Sequence, residues 1–229
     1  GIEQAILSGM NVARLNFSHG DHSQHLAVIQ NIKTISDKLK KPVAILQDLQ
    51  GPKIRVGKFK DGSIELKKSE VVEISPDFKL GESGKIPTDF DKMPDSCKPD
   101  QKILLDDGLL ELKVLKVVNN SIHAEVVHGG ILKDRKGINL PGANLPVDCL
   151  TQKDVEDLNF GLEQNVDFVA LSFVRSASDI VHLKDIIQQK NKSTKVIAKI
   201  EMAEAIDNLE DIVKVSDAIM VARGDLAVE

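Results

Sequence analysis

What most constrains this chain is a repeated unit: a short apolar run that closes in charged residues, then an amphipathic helix, then another such run. The unit is clearest in Lys195-Val-Ile-Ala-Lys-Ile-Glu201 and, after a helical stretch, Ala218-Ile-Met-Val-Ala-Arg-Gly-Asp225. Such runs read as buried strands whose C-terminal tips line a site. Glu201 and Asp225 offer two hard oxygen ligands to a divalent cation, and Lys199 brings the opposite charge to the same place. Magnesium takes one or two carboxylates and completes its shell with substrate oxygens. A lysine beside such a pair suits a substrate that gains negative charge during reaction. A strand-end salt bridge would put the same residues at a single strand. Two consecutive strands with the same ending favour a site.

The chain has 229 residues, 41% of them hydrophobic, which allows one large domain or two smaller ones. A formal net charge of -5 argues against a nucleic-acid groove while leaving room for a local basic pocket. Trp and Tyr are absent and only seven Phe occur, so base-stacking platforms are not expected. Cys97 and Cys149 stand far apart without metal-ligand spacing, which fits a reducing, cytoplasmic setting without disulfides. No apolar run approaches the roughly 20 residues of a membrane helix, and no signal peptide is read. Gly1-Ile-Glu-Gln-Ala-Ile-Leu-Ser-Gly9 reads as a helix and its glycine stop without an initiator Met, as in an internal piece of a longer protein.

Residues 10–17 form the first expected strand. Arg14, Asn16 and Ser18 fall on one face of it by period two, so polar chemistry faces whatever the strand encloses, unless the strand is an edge with a wet face. His19 and His22 suit a helix start better than a metal, since no third ligand is spaced for one. A helix follows with Leu26, Ile29, Ile32, Ile35 and Leu39 on one stripe, stopping at Lys40-Lys41-Pro42. Residues 43–47 are the second strand, with Asp48 at its tip and Lys53 and Arg55 in the turn beyond. This is the rhythm of an α/β protein.

From about residue 57 to 136 the rhythm breaks into short alternating strands and turns, among them a hairpin signal at Asp61-Gly62 and a turn at Asn119-Asn120. These residues read as a small inserted β-domain between barrel parts at 1–56 and 137–229. Asp106-Asp107-Gly108 is either a β-turn or a pair of lid carboxylates that meet substrate or metal on closure. Lys136, on the return path, is either a phosphate contact or a solvated linker charge. After Leu145-Pro146 the rhythm resumes. Thr151 with Asp154 resembles a capping box for a helix with Val155, Leu158 and Leu162 inward. Residues 168–174 are a continuous apolar strand, followed by a helix opening at Ser176-Ala-Ser-Asp179. Ile206, Leu209, Ile212 and Val213 mark one more helix between the last two strands.

Five stretches in order resemble the pyruvate kinase family: Asn11-Val-Ala-Arg-Leu-Asn-Phe-Ser-His-Gly20; Asp48-Leu-Gln-Gly-Pro-Lys-Ile-Arg55; Asp106-Asp-Gly108; Ala170-Leu-Ser-Phe-Val-Arg175; and Ala198-Lys-Ile-Glu201 with Val221-Ala-Arg-Gly-Asp-Leu226. The resemblance spans essentially the whole chain. It implies a partial TIM (β/α)8 barrel, roughly its strands two to six, with an inserted small β-barrel lid domain. It implies phosphoryl transfer from phosphoenolpyruvate to ADP, giving pyruvate and ATP, in a cytoplasmic homotetramer. By the same resemblance Glu201 and Asp225 hold Mg2+ or Mn2+, and Lys199 stabilises the enolate and the moving phosphoryl group. Arg14 binds the phosphate, and backbone amides near Gly224 and Asp225 take the substrate carboxylate. Asn16, Arg55 and Lys136 face the nucleotide. Asn16, Ser18, Asp48 and Leu49 mark the family's monovalent-cation region. Potassium-dependent members carry glutamate at the position of Lys53, so an ammonium there replaces the K+ charge and K+ is not required. A barrel with missing strands has open edges, and the fragment alone is expected to be inactive. The rivals are a magnesium-dependent aldolase or lyase acting on a pyruvate enolate, and a non-catalytic truncated chain.

Overall fold

The computed structural model describes residues 1–143, 148–190 and 192–227. In chain order α1 (Ile2–Leu7), β1 (Val12–Asn16), α2 (His22–Leu39) and β2 (Ala44–Asp48) come first. A run of strands follows: β3 (Ser63–Leu66), β4 (Val71–Ser75), β5 (Lys85–Pro87), β6 (Lys102–Leu105), β7 (Leu110–Val118), β8 (Ser121–His128), β9 (Gly130–Lys133) and β10 (Ile138–Asn139). Helices return with α3 (Gln152–Glu163), β11 (Phe168–Leu171), α4 (Ala177–Gln189), β12 (Lys195–Ile200), α5 (Ala203–Asp207), α6 (Leu209–Val215), β13 (Ala218–Val221) and α7 (Arg223–Leu226). Leu145-Pro146, where the rhythm was expected to resume, lies outside the described residues. Two compact units result: residues 1–52 with 148–222, and residues 53–147 with 223–229.

The first unit is an α/β fold. Its strands pair in parallel in the order β1-β2-β11-β12-β13, with helices in the connections. One face packs Ile45, Val169, Leu171, Val196 and Ile200 against Ile29, Ile32, Leu158, Leu162, Ile180 and Ile212 of the helices, all of them buried. Each such side chain contributes about 1.5–3 kcal/mol by leaving water. The other face carries a smaller cluster, Leu46, Ala170 and Ile197 with Phe168 and Met220.

Local chemistry sets the helix starts. Asp21 caps α2 by accepting from the Gln24 N–H at 2.9 Å while its own N–H donates to Gln24 Oε1 at 3.2 Å. Thr151 with Asp154 and Ser176 with Asp179 form the same reciprocal box on α3 and α4. Leu158 and Leu162 face inward as expected, while Val155 is only partly buried. His22 Nε2 donates to Asp157 Oδ1 at 2.7 Å, and the ring stacks on Phe160.

Two side chains tie neighbouring strands at their N-terminal ends. Asp167, just before β11, accepts from the Ile45 N–H of β2 at 2.7 Å. Asp217, just before β13, accepts from the Val196 N–H of β12 at 2.9 Å, with Lys184 Nζ at 3.0 Å and Lys195 Nζ at 3.4 Å. Burial works to raise the Asp217 pKa, but the Val196 amide and the Lys184 ammonium outweigh it and hold the carboxyl below its usual 3.8. A depressed carboxyl stabilises the fold above its unfolded pKa and loses that contribution as pH falls through its folded pKa. Asp217→Asn is therefore expected to lower the urea midpoint at pH 6, and the difference from the unsubstituted protein should shrink as pH falls below the ordinary carboxyl value of 3.8 and through the lower folded one.

Several expectations are corrected. The apolar strand expected over 168–174 ends at Leu171, because Phe173 adopts a left-handed φ of 56° that no strand continues. The single helix expected to bear Ile206, Leu209, Ile212 and Val213 is broken at Asn208 into α5 and α6, and the Asn208 side-chain amide donates to Glu204 O and Arg175 O. Ile206 and Val213 are each 49% exposed. Asp61-Gly62 does turn the chain, with the Gly62 N–H on Phe59 O, but it makes no hairpin: β3 pairs antiparallel with the distant β9.

The second unit holds a six-stranded sheet, order β10-β6-β7-β8-β4-β5, and the two-stranded β3–β9 sheet. Period-two alternation in β8 places Ile122, Ala124 and Val126 in a core shared with Ile74, Ile86, Ile103, Leu105, Leu112 and Leu132. Asp106 and Asp107, both at positive φ, turn β6 into β7, and Asn119 at φ 53° turns β7 into β8. Among the described residues no helix is long and apolar enough to cross a membrane.

Candidate active site

The C-terminal ends of β1, β2, β11 and β12 bring Arg14, Asp48, Ser172, Lys199 and Glu201 together in the first unit. Arg14 Nε donates to Asp48 Oδ2 at 2.7 Å, and a second guanidinium nitrogen lies 2.5 Å from the same oxygen. Lys199 Nζ lies 3.2 Å from Asp48 Oδ1 and 2.8 Å from Glu201 Oε1, and it donates to Ser172 Oγ at 2.7 Å. Glu201 Oε2 accepts from the Phe173 N–H at 2.8 Å. Asp48, Glu201 and Ser172 are buried, as is Lys199. Arg14 keeps a half-exposed side chain and can reach a ligand.

The geometry follows from strand periodicity. Lys199 and Glu201, two apart at the end of β12, share a face. In the parallel register Leu171 of β11 lies opposite Ala198, so Ser172, one residue on, comes level with Lys199. Asn16 ends β1 opposite Asp48, and its Oδ1 accepts from the Ser18 N–H at 3.0 Å. The Leu49 carbonyl accepts from Ser172 Oγ at 2.7 Å. Away from these tips, a cavity of about 530 Å3 lined by Ala44, Asp167, Phe168, Lys192 and Lys195 opens at the N-terminal strand ends.

The second unit gathers the other expected residues in two places. Lys53 Nζ lies 3.1 Å from Asp225 and 3.8 Å from Asp107. Lys136 Nζ lies 2.7 Å from Asp106 Oδ1, and that hydrogen bond raises the Lys136 pKa above its usual value. Arg55 bonds the Arg135 carbonyl through its guanidinium. Gly224 and Asp225 sit in the short α7. Among the described residues no cluster of three or more His, Cys, Asp or Glu could hold an ion alone. Glu201 belongs to the first unit and Asp225 to the second, and each is a carboxylate of the kind a hard divalent ion takes. Burial pushes the Cys97 thiol up to about 12 and, with Asp179 adding to it, the Cys149 thiol up to about 11, so neither supplies a thiolate nucleophile at neutral pH.

Sequence reasoning overlooked Ser172 and the Phe173 amide. Asp48, expected in the family's monovalent-cation region with no ion required, meets Arg14 and Lys199. A polar residue closing the apolar run 168–171 was the available signal for Ser172.

A family described as pyruvate kinase, barrel domain, matches residues 1–229. The chain belongs to the pyruvate kinase family. It is 45% identical over 231 residues to the pyruvate kinase of Staphylococcus saprophyticus, and 43% identical over 230 residues to that of a Staphylococcus aureus strain. Each alignment takes in all of this chain and 39% of the relative, so the chain spans about two fifths of the length of the pyruvate kinases it matches.

Proposed function

We propose that the protein carrying this chain transfers the phosphoryl group of phosphoenolpyruvate to ADP, giving pyruvate and ATP. One observation carries this function: a buried lysine ammonium, Lys199, held between Glu201 and Asp48 at the strand ends, with Arg14 sharing Asp48. Phosphoryl transfer needs fixed positive charge around the group in flight, and these two cations are oriented by the same carboxylate. Lys199 stabilises the enolate and the transferring phosphoryl group, and Arg14 binds the substrate phosphate.

Glu201 and Asp225 would hold Mg2+ or Mn2+, which when bound supplies Lewis-acid charge to the substrate oxygens. Backbone amides near Gly224 and Asp225 take the carboxylate of phosphoenolpyruvate. Asn16, Arg55 and Lys136 serve ADP, with Lys136 leaving Asp106 for a phosphate. Asp106 and Asp107 belong to the lid. In this account residues 57–136 are a small β-barrel lid set into a partial (β/α)8 barrel formed by residues 1–56 and 137–229, the whole protein is a cytoplasmic homotetramer, and the chain alone is inactive.

Lys53 substitutes for potassium near Asn16, Ser18, Asp48 and Leu49. Asp48 already meets two protein cations, Arg14 and Lys199, which supports potassium independence, while Lys53 itself pairs with Asp225 and Asp107. Pyruvate release from phosphoenolpyruvate, ADP and Mg2+ by the natural-length protein should proceed equally in sodium and potassium salts. Stimulation by potassium alone would remove the Lys53 role and keep the enzyme. No turnover by the folded protein would remove the function.

A further inference from the structure

The two residues after β11 touch both members of the Lys199–Glu201 pair, and neither carries a role in the function proposed above. Ser172 is 2% exposed. Its Oγ donates its single proton to the Leu49 carbonyl at 2.7 Å, so towards Lys199 the oxygen can only accept. Lys199 Nζ donates to it at 2.7 Å. The ammonium thus faces three oxygens, from Ser172, Glu201 and Asp48, for its three N–H groups. The contact to Asp48 Oδ1, at 3.2 Å, lacks the alignment of a hydrogen bond.

Next to it, Phe173 takes a left-handed φ of 56°, a conformation that costs an aromatic residue of order 1–3 kcal/mol, and thereby donates its N–H to Glu201 Oε2 at 2.8 Å. Gly51, at φ +70°, lets the backbone run against the Ser172 and Phe173 side chains, where a Cβ would collide with both. Strained backbone persists where the surroundings over-determine it, and here what it delivers is one donor and one acceptor to the lysine–glutamate pair.

We propose that Ser172 is a positioning residue for Lys199: with its proton committed to Leu49, the hydroxyl fixes where the ammonium stands. This role rests on the phosphoryl transfer proposed above. Lysine has a long, flexible side chain, and without the hydroxyl Nζ is free to slide from the Ser172 side towards Asp48. A displacement near 1 Å at a reacting centre can cost about 10²-fold in rate.

The test compares Ser172→Ala with Thr194→Ala in the natural-length protein. Thr194 Oγ1 donates to Val166 O at 3.0 Å near the N-terminal end of β12, so its loss reports a strand hydroxyl without a site. Ser172→Ala should lower kcat about 10- to 100-fold with KM for phosphoenolpyruvate within about threefold. It should melt close to Thr194→Ala, and its crystal structure should show Nζ displaced. Thr194→Ala should keep kcat. Should Ser172→Ala not fold, Ser172→Cys fills the same space with a weak acceptor and is read the same way. A kcat for the Ser172 variant within about twofold of the unsubstituted enzyme, an equal loss in Thr194→Ala, or an unmoved Nζ overturns the role. If the unsubstituted protein fails to turn over phosphoenolpyruvate, the function itself falls and takes this role with it.

Discussion

Lys199→Met in the natural-length protein should reduce pyruvate formation by about 10²–10³-fold or more, the scale seen when one preorganised charge or donor at a transition state is lost. Methionine keeps the length and loses the charge, so the effect isolates the ammonium. The same substitution should also destabilise the fold. Among the described residues Glu201 pairs with no other cation, and it is 1% exposed, whereas Asp48 keeps Arg14. Breaking a buried pair by deleting one partner costs about 3–5 kcal/mol. Adding Glu201→Gln to Lys199→Met should therefore recover stability and leave the enzyme dead. Chemical denaturation read beside initial rates separates these outcomes. Recovery of turnover in the double variant would show that Lys199 acts only by neutralising Glu201.

Gly129→Ala is expected to unfold much of the second unit. Gly129 joins β8 to β9, and a Cβ there would overlap the Leu66 carbonyl, which is backbone at the end of β3. Leu66 pairs with Gly130 across the two-stranded sheet, so neither chain can withdraw without breaking the ladder. Overpacking of this kind costs about 1–3 kcal/mol where side chains can give, and more where backbone meets backbone. Limited proteolysis should cut the variant within residues 53–147 under conditions that leave the parent intact. Wild-type resistance in the variant would mean that β3 and β9 part without loss.

What could be read from the chain was what neighbours in sequence decide. The caps at Thr151 and Ser176 lie within a turn of the residues they bond, and the α2 stripe follows from its own spacing, while Asp21, not His19 or His22, caps α2. The pairing of Lys199 with Glu201 was legible for the same reason, since two residues on one strand must share a face. The failures lie where distant segments decide. Phe173 leaves the strand because Ser172 bonds Leu49 and Glu201 calls for its amide, contacts made with residues far away in sequence. The break at Asn208 is held in part by the Arg175 carbonyl, and β3 finds β9 across the intervening strands.

The carboxylates at Asp167 and Asp217 have a consequence for how such a sheet can change. Each lies just before a strand and grips the backbone of the neighbouring strand in the sheet, so register is held at one rim by groups that take no part in the cluster at the other. Tips and loops at the opposite rim can then exchange residues without strands slipping past one another. A scaffold fastened in this way tolerates replacement of its chemistry: new substrates or new ion preferences are open to substitutions at the tips, while a substitution at either aspartate would be felt along the full length of two strands.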